Sequence, residues 1–132
     1  MTERTVAQKL QIKPGDVVAL VAGTDGDAVR LGELPEGARL AREGTAGASV
    51  AIVFVGTRAE LLKRFASELP GLSDARAVWF CYPKGNRADL NRDTIIRESG
   101  AFGWRPNSNV AIDDTWSAVR VRPLEPGEAP VG

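Results

Sequence analysis

Three stretches are apolar almost without a break: residues 16–22 (DVVALVA), 49–55 (SVAIVFV) and 76–82 (RAVWFCY). They are short and rich in β-branched and aromatic residues. They lack the apolar–polar alternation of a strand with one wet face. Each therefore reads as a strand covered on both sides, as in a parallel sheet. Between 57 and 69 the period changes. Leu61, Leu62, Phe65 and Leu69 form one stripe, with Arg58, Lys63, Arg64 and Glu68 largely off it, so an amphipathic helix is predicted. Thr57 is its expected N-cap, Glu60 closes a capping box, and Pro70-Gly71 stops it.

Weaker patterns fill the gaps. Short helices are expected at 5–10, capped by Thr5 with Val6 and Leu10 facing the body, and at 28–34; a weak strand is expected at 38–41. A polar helix should run from about 88 to 99, with Asp89 as its cap and Leu90, Thr94 and Ile95 inward. Residues 109–112 and 116–121 read as two strands around the turn Asp113-Asp114-Thr115. In the second, Trp116, Ala118 and Arg120 share one face and Ser117, Val119 and Val121 the other. That pair predicts an antiparallel hairpin with 116–122 at a sheet edge, which either allows a homodimer by strand pairing or carries Arg120 and Arg122 as the charges that prevent it.

The order of elements predicts an α/β fold: a Rossmann-like three-layer sandwich with a mostly parallel central sheet and a C-terminal antiparallel hairpin. Residues 1–124 make a single domain. Residues 125–132, with two prolines, two glycines and two glutamates, make a flexible tail. No internal repeat is visible.

Composition narrows the chemistry. Lys plus Arg and Asp plus Glu are each 17, so the formal net charge is zero, which argues against general nucleic-acid binding. No apolar run approaches a membrane span, and the single Cys81 inside an apolar run suits a reducing cytoplasm. There is no histidine, which excludes a Cys/His zinc site, a Ser-His-Asp triad and a Cys-His pair. The loop Gly23-Thr24-Asp25-Gly26 follows the first strand but lacks both the G-x-G-x-x-G and the P-loop spacing. No NAD, ATP, other cofactor or metal is expected.

The candidate site follows the third apolar run. Pro83-Lys84-Gly85-Asn86-Arg87 stands where a central strand would feed a helix, the place where α/β proteins hold ligands. Gly85 allows close backbone approach; Lys84, Asn86, Arg87 and the free amides of the next helix suit an anion. Asp89 borders the turn, and Arg120 would either pair with Asp89 or Asp93 or join Lys84 in one basic pocket. Two functions follow. One is a non-catalytic module that binds an anionic small molecule or an acidic protein segment. The other is a small enzyme on an anionic substrate, with Lys84 and Arg87 stabilising charge and Asp89, Asp93 or Asp113 as base. The bland reading of the same turn is a solvated connection with surface ion pairs.

Tyr82-Pro83-Lys84-Gly85, Asp89-Leu90-Asn91-Arg92-Asp93 and Asp113-Asp114-Thr115-Trp116-Ser117-Ala118-Val119-Arg120 resemble a family of small bacterial proteins. So do Thr5-Val6-Ala7-Gln8-Lys9-Leu10, Ile12-Lys13-Pro14-Gly15 and Leu34-Pro35-Glu36-Gly37. The family is common in actinobacteria and known as a domain of unknown function. The resemblance implies a compact cytosolic α/β protein and supplies no activity. The layout is also similar to a pared-down methyltransferase or Rossmann-like half.

Overall fold

A computed structural model describes residues 5–21, 24–42, 47–85 and 89–129. Among them a six-stranded sheet runs in the order β2-β1-β3-β4-β6-β5. Its strands are β1 (Val17–Val21), β2 (Arg39–Ala41), β3 (Val50–Phe54), β4 (Ala77–Pro83), β5 (Trp104–Ala111) and β6 (Trp116–Pro123). β1, β2, β3 and β4 pair in parallel; β6 returns antiparallel beside β4, and β5 pairs antiparallel with β6. Helices α1 (Val6–Lys9) and α2 (Asp25–Arg30) lie on one face, and α3 (Arg58–Glu68) and α4 (Arg92–Ser99) on the other. This is the expected Rossmann-like three-layer sandwich.

The three apolar runs are β1, β3 and β4, buried along almost their whole length because both faces are covered. Ala19, Val53, Phe80 and Val119 point to α3 and α4; Val18, Ile52, Trp79 and Ala118 point to α1 and α2. On the first side Phe65 of α3 meets Phe80 edge-on at 4.7 Å between ring centroids. On the second, fully buried Trp79 donates its indole N–H to the Leu10 carbonyl at 3.0 Å, tying the end of α1 to the middle of the sheet.

Some expectations are corrected. β6 lies inside the sheet, hydrogen-bonded to β4 and β5, so residues 116–122 form no free edge; the edge on that side is β5. β5 begins at Trp104, five residues before the expected 109, since its polar stretch Arg105–Asn109 is half-wet and takes its register from β6. α2 starts at Asp25 rather than 28, because Thr24 and Asp27 form a reciprocal capping box. α4 starts at Arg92 with Asn91, not Asp89, as its cap.

At the amino end of the sheet, Asp16 accepts two hydrogen bonds from the Arg76 guanidinium, one at 3.1 Å, and one from the Lys13 amide at 2.8 Å. The Arg76 bonds hold its carboxyl below the usual range, against burial, which acts the other way. The stability this pair contributes is present above the ordinary carboxylate pKa of about 4 and is lost as pH falls through the lowered folded value. Asp16→Ala is expected to cost roughly 1–3 kcal/mol, since Arg76 stays partly wet. A urea midpoint unchanged at pH 7 would contradict this.

In the segment expected to be a flexible tail, residues 125–129 are described, and Glu128 contacts the hairpin; residues 130–132 lie outside the described residues. Glu128 accepts from Arg122 at 2.7 and 2.9 Å and from Arg105 at 2.6 Å. Hydrogen bonds from Arg122 and from the Glu125 amide lower its carboxyl from 4.5 to about 2. The clamp is therefore complete above about pH 4.5 and opens as pH falls toward 2. Carboxyl-carbon NMR should place the Glu128 midpoint near 2, and Arg122→Gln should raise it toward 4.5. An ordinary midpoint in the unsubstituted chain would sink the clamp.

Candidate functional site

β4 is buried through Tyr82 and emerges at Pro83. The Lys84 amide donates to the Thr115 carbonyl at 2.8 Å, which pins the strand's exit to the turn before β6. Gly85 then takes φ +83°, a left-handed conformation that costs glycine little. The Lys84 backbone is thus fixed by the hydrogen bond to Thr115. Across from it stands the start of α4. Asn91 Oδ1 accepts from the Thr94 amide at 3.0 Å, and Thr94 Oγ1 accepts from the Asn91 amide at 3.3 Å. The amides of Arg92 and Asp93, in the first turn, have no intrahelical acceptor.

Between these two ends lies a half-open hollow of about 300 Å³, lined by Tyr82, Pro83, Lys84, Gly85, Asn91, Arg92 and Asp93. Its described charges are Lys84, Arg92 and Asp93, an excess of one positive charge. Arg92 and Asp93 approach only to 3.9 Å and both are largely exposed, so their mutual attraction is weak and Arg92 remains available.

Lys84 and Gly85 are where the sequence places them. Asn86 and Arg87 lie outside the described residues. Asp89 does not face the hollow: its carboxylate accepts from the Arg58 amide at 2.9 Å and so caps α3. Arg120 neither pairs with Asp89 or Asp93 nor joins Lys84. It stands opposite Trp79, while Trp116 stands opposite Pro83. Those four residues put its backbone about 13 Å down the strand, at 3.3 Å per residue. There its guanidinium donates to Gln11 Oε1 at 2.9 Å and to the Arg76 carbonyl at 2.7 Å. Arg120 is a structural staple at the opposite end of the sheet.

Asp113, another candidate base, closes its own turn. It accepts from the Thr115 and Trp116 amides at 2.8 and 2.7 Å and from Arg30 at 3.1 Å. Burial acts to raise its pKa, but the Trp116 and Thr115 amides and Arg30 outweigh that and hold it below the usual range. Burial pushes the Cys81 thiol well up, with Asp27 adding to the effect, so it is a packing residue rather than a nucleophile. Among the described residues no group of three or more His, Cys, Asp or Glu side chains is placed to hold a metal. Asn91 and Arg92 gain weight here; the capping preference of Asn within Leu90-Asn91-Arg92-Asp93-Thr94 was the available signal.

Beside β1, where Rossmann folds seat a dinucleotide, the described start of α2 carries two carboxylates, Asp25 and Asp27, in its first turn. The Thr24 and Asp27 amides are taken by the capping box, and Asp25 is paired with Arg42 at 2.6 Å. Two carboxylates stand where a pyrophosphate would need donors, so the described residues do not fit that group.

No family model and no curated protein matches the chain at a significant level. Solved structures do. A protein of the NADB-Rossmann superfamily from Streptococcus agalactiae aligns with a TM-score of 0.56 at 8% identity, over 95% of this chain and 70% of its own. A Streptococcus pneumoniae putative tRNA (m1A22) methyltransferase aligns at 0.52 with 13% identity, over 91% and 68%. The B. subtilis m1A22 tRNA methyltransferase TrmK aligns at 0.51 with 9% identity, over 95% and 68%. At such identities the likeness establishes the Rossmann-like fold and nothing about chemistry.

Proposed function

We propose that this protein is a non-catalytic binding module for an anionic small molecule, held in the hollow at the carboxyl end of β4. The observation that carries this reading is the placement of Lys84 and Arg92 around one concavity of about 300 Å³ at the start of α4. Lys84 supplies the point charge, Arg92 a planar fork, and the first amides of α4 two further donors for an oxyanion. Asp89 and Asp113 support the non-catalytic reading, because both are committed to caps and turns. A cytoplasmic setting goes with the reduced, buried Cys81. Among the described residues no helix is long and apolar enough to cross a membrane.

A thermal-shift series on the full chain tests the proposal, with inorganic phosphate, sulfate, phosphorylated sugars and nucleotides as probes. Binding to the folded state alone raises the melting temperature with probe concentration. A saturable rise with at least one phosphorylated probe is expected, moved to roughly 10–100-fold higher probe concentration in Lys84→Gln. No rise with any probe overturns the reading.

A second reading rests on Asp93, the described carboxylate that shares the hollow with Lys84. In it the protein is a small enzyme with Asp93 as base. Turnover of a bound phosphorylated compound, abolished in Asp93→Asn while binding persists, would favour the enzyme.

A further inference from the structure

A second hollow of about 260 Å³ adjoins the first, between α4 and the β5–β6 hairpin. Arg92 lines both. Either volume alone is at or below the low end of small-molecule sites, about 300–1,000 Å³, and a ligand reaching past Arg92 into both would fill a space within that range. The walls of the second hollow are Ile96, Pro106 and Val119; its rim is Asn107, Ser108 and Asn109. The polar rim exists because β5 is an edge strand, and the register shift between Pro106 and Ser108 opens it locally.

The Asn109 amide is oriented by its neighbours. Its Nδ2 donates to the Ala118 carbonyl at 2.9 Å and to the Tyr82 hydroxyl at 3.2 Å. The two bonds use both amide hydrogens and leave Oδ1 as an acceptor. Asn107 is exposed and brings a donor and an acceptor. Apolar walls with amide groups along one rim match a flat heterocycle, apolar on its faces and hydrogen-bonding on its edges. An aliphatic group would leave the amides unanswered, and a second anionic group would find no described cation but Arg92.

We infer that the ligand of this cleft is a 5′-phosphorylated nucleoside. Its phosphate lies at Lys84 and the start of α4, Arg92 stands between, and its base lies against Ile96, Pro106 and Val119 with its edge on Asn107 and Asn109. This rests on the anion-binding reading above and gives its ligand a class.

Calorimetry on the full chain separates the two claims, with inorganic phosphate, ribose 5-phosphate and the four nucleoside monophosphates AMP, CMP, GMP and UMP. At least one mononucleotide is expected to bind roughly tenfold or more tighter than ribose 5-phosphate, about one good amide–base pair. Asn107→Ala, which breaks no hydrogen bond of the fold, and Asn109→Ala should each reduce that preference while leaving phosphate affinity unchanged. Equal affinity for ribose 5-phosphate and all four nucleotides overturns the nucleoside inference and leaves the anion site standing. A preference undiminished in both variants also overturns it. No binding of any probe, phosphate included, overturns the anion reading and this inference with it. Competition by a 5′-phosphorylated trinucleotide would assign the site to an RNA end, and its failure to compete to the free nucleotide; both agree with the inference.

Discussion

Trp79→Ala is expected to destabilise the protein by about 3–5 kcal/mol, lowering the melting temperature by roughly 10–20 °C. Trp79 is fully buried and is the largest of the completely enclosed side chains. It packs among Leu10, Ile12, Leu20 and Ile52 on the α1 side of the sheet. Alanine leaves a cavity that a sheet with neighbours on both sides closes poorly. It also strands the Leu10 carbonyl, which accepts the indole N–H at 3.0 Å. Trp79→Phe separates the two losses: it keeps much of the volume and removes the donor, for about 1–2 kcal/mol. Circular dichroism during urea unfolding measures both without relying on tryptophan emission. A loss under about 1 kcal/mol for alanine would contradict the role given to this contact.

Lys84→Gln is expected to weaken the binding of phosphate or a phosphorylated probe by roughly 10–100-fold, the worth of one charge-assisted hydrogen bond of about 1.5–3 kcal/mol. The fold should not change, because the main-chain amide of Lys84, not its ammonium, makes the contact to Thr115. Arg92→Gln should cost less, since that side chain is 58% exposed and water competes for it. Raising salt should weaken binding in the unsubstituted chain more than in either variant. Equal affinities across the three proteins, measured by calorimetry, would remove Lys84 from the site.

The parts of the fold that were legible are those whose burial is written into adjacent residues. β1, β3 and β4 are covered on both faces, so their runs admit few polar residues. Thr5 and Thr57 cap α1 and α3 as expected, although the Glu60 carboxylate reaches back to the Gly56 amide rather than to Thr57. The parts that were not legible depend on pairing between distant segments. β5 carries Pro106 and three exposed polar residues at 107–109, and only the ladder to β6 makes it a strand. Alternation put Trp116, Ala118 and Arg120 on one face, and it holds, since Trp116 and Ala118 pack on the α1 side. How far along β4 Arg120 would fall is set by register, which no local pattern contains. Asp89 has the composition of a helix cap and serves as one, for the neighbouring α3.

The candidate site divides the same way. Lys84 and Gly85 are local, a turn after a buried strand, and were legible. Asn91, Arg92 and Asp93 come to the hollow only because α4 packs on β5 and β6 and brings its first turn back over β4. The Asn107–Asn109 rim had no signal except a polar run between Trp104 and Val110.

A two-dimensional amide NMR titration of the labelled full chain with inorganic phosphate tests the central claim most directly. Saturable shifts are expected at Tyr82, Lys84, Gly85, Asn91, Arg92 and Asp93, with the amides of Thr24 to Asp27 unmoved. Shifts confined to the turn after β1, or no saturable shift anywhere, would contradict an anion site at the carboxyl end of β4.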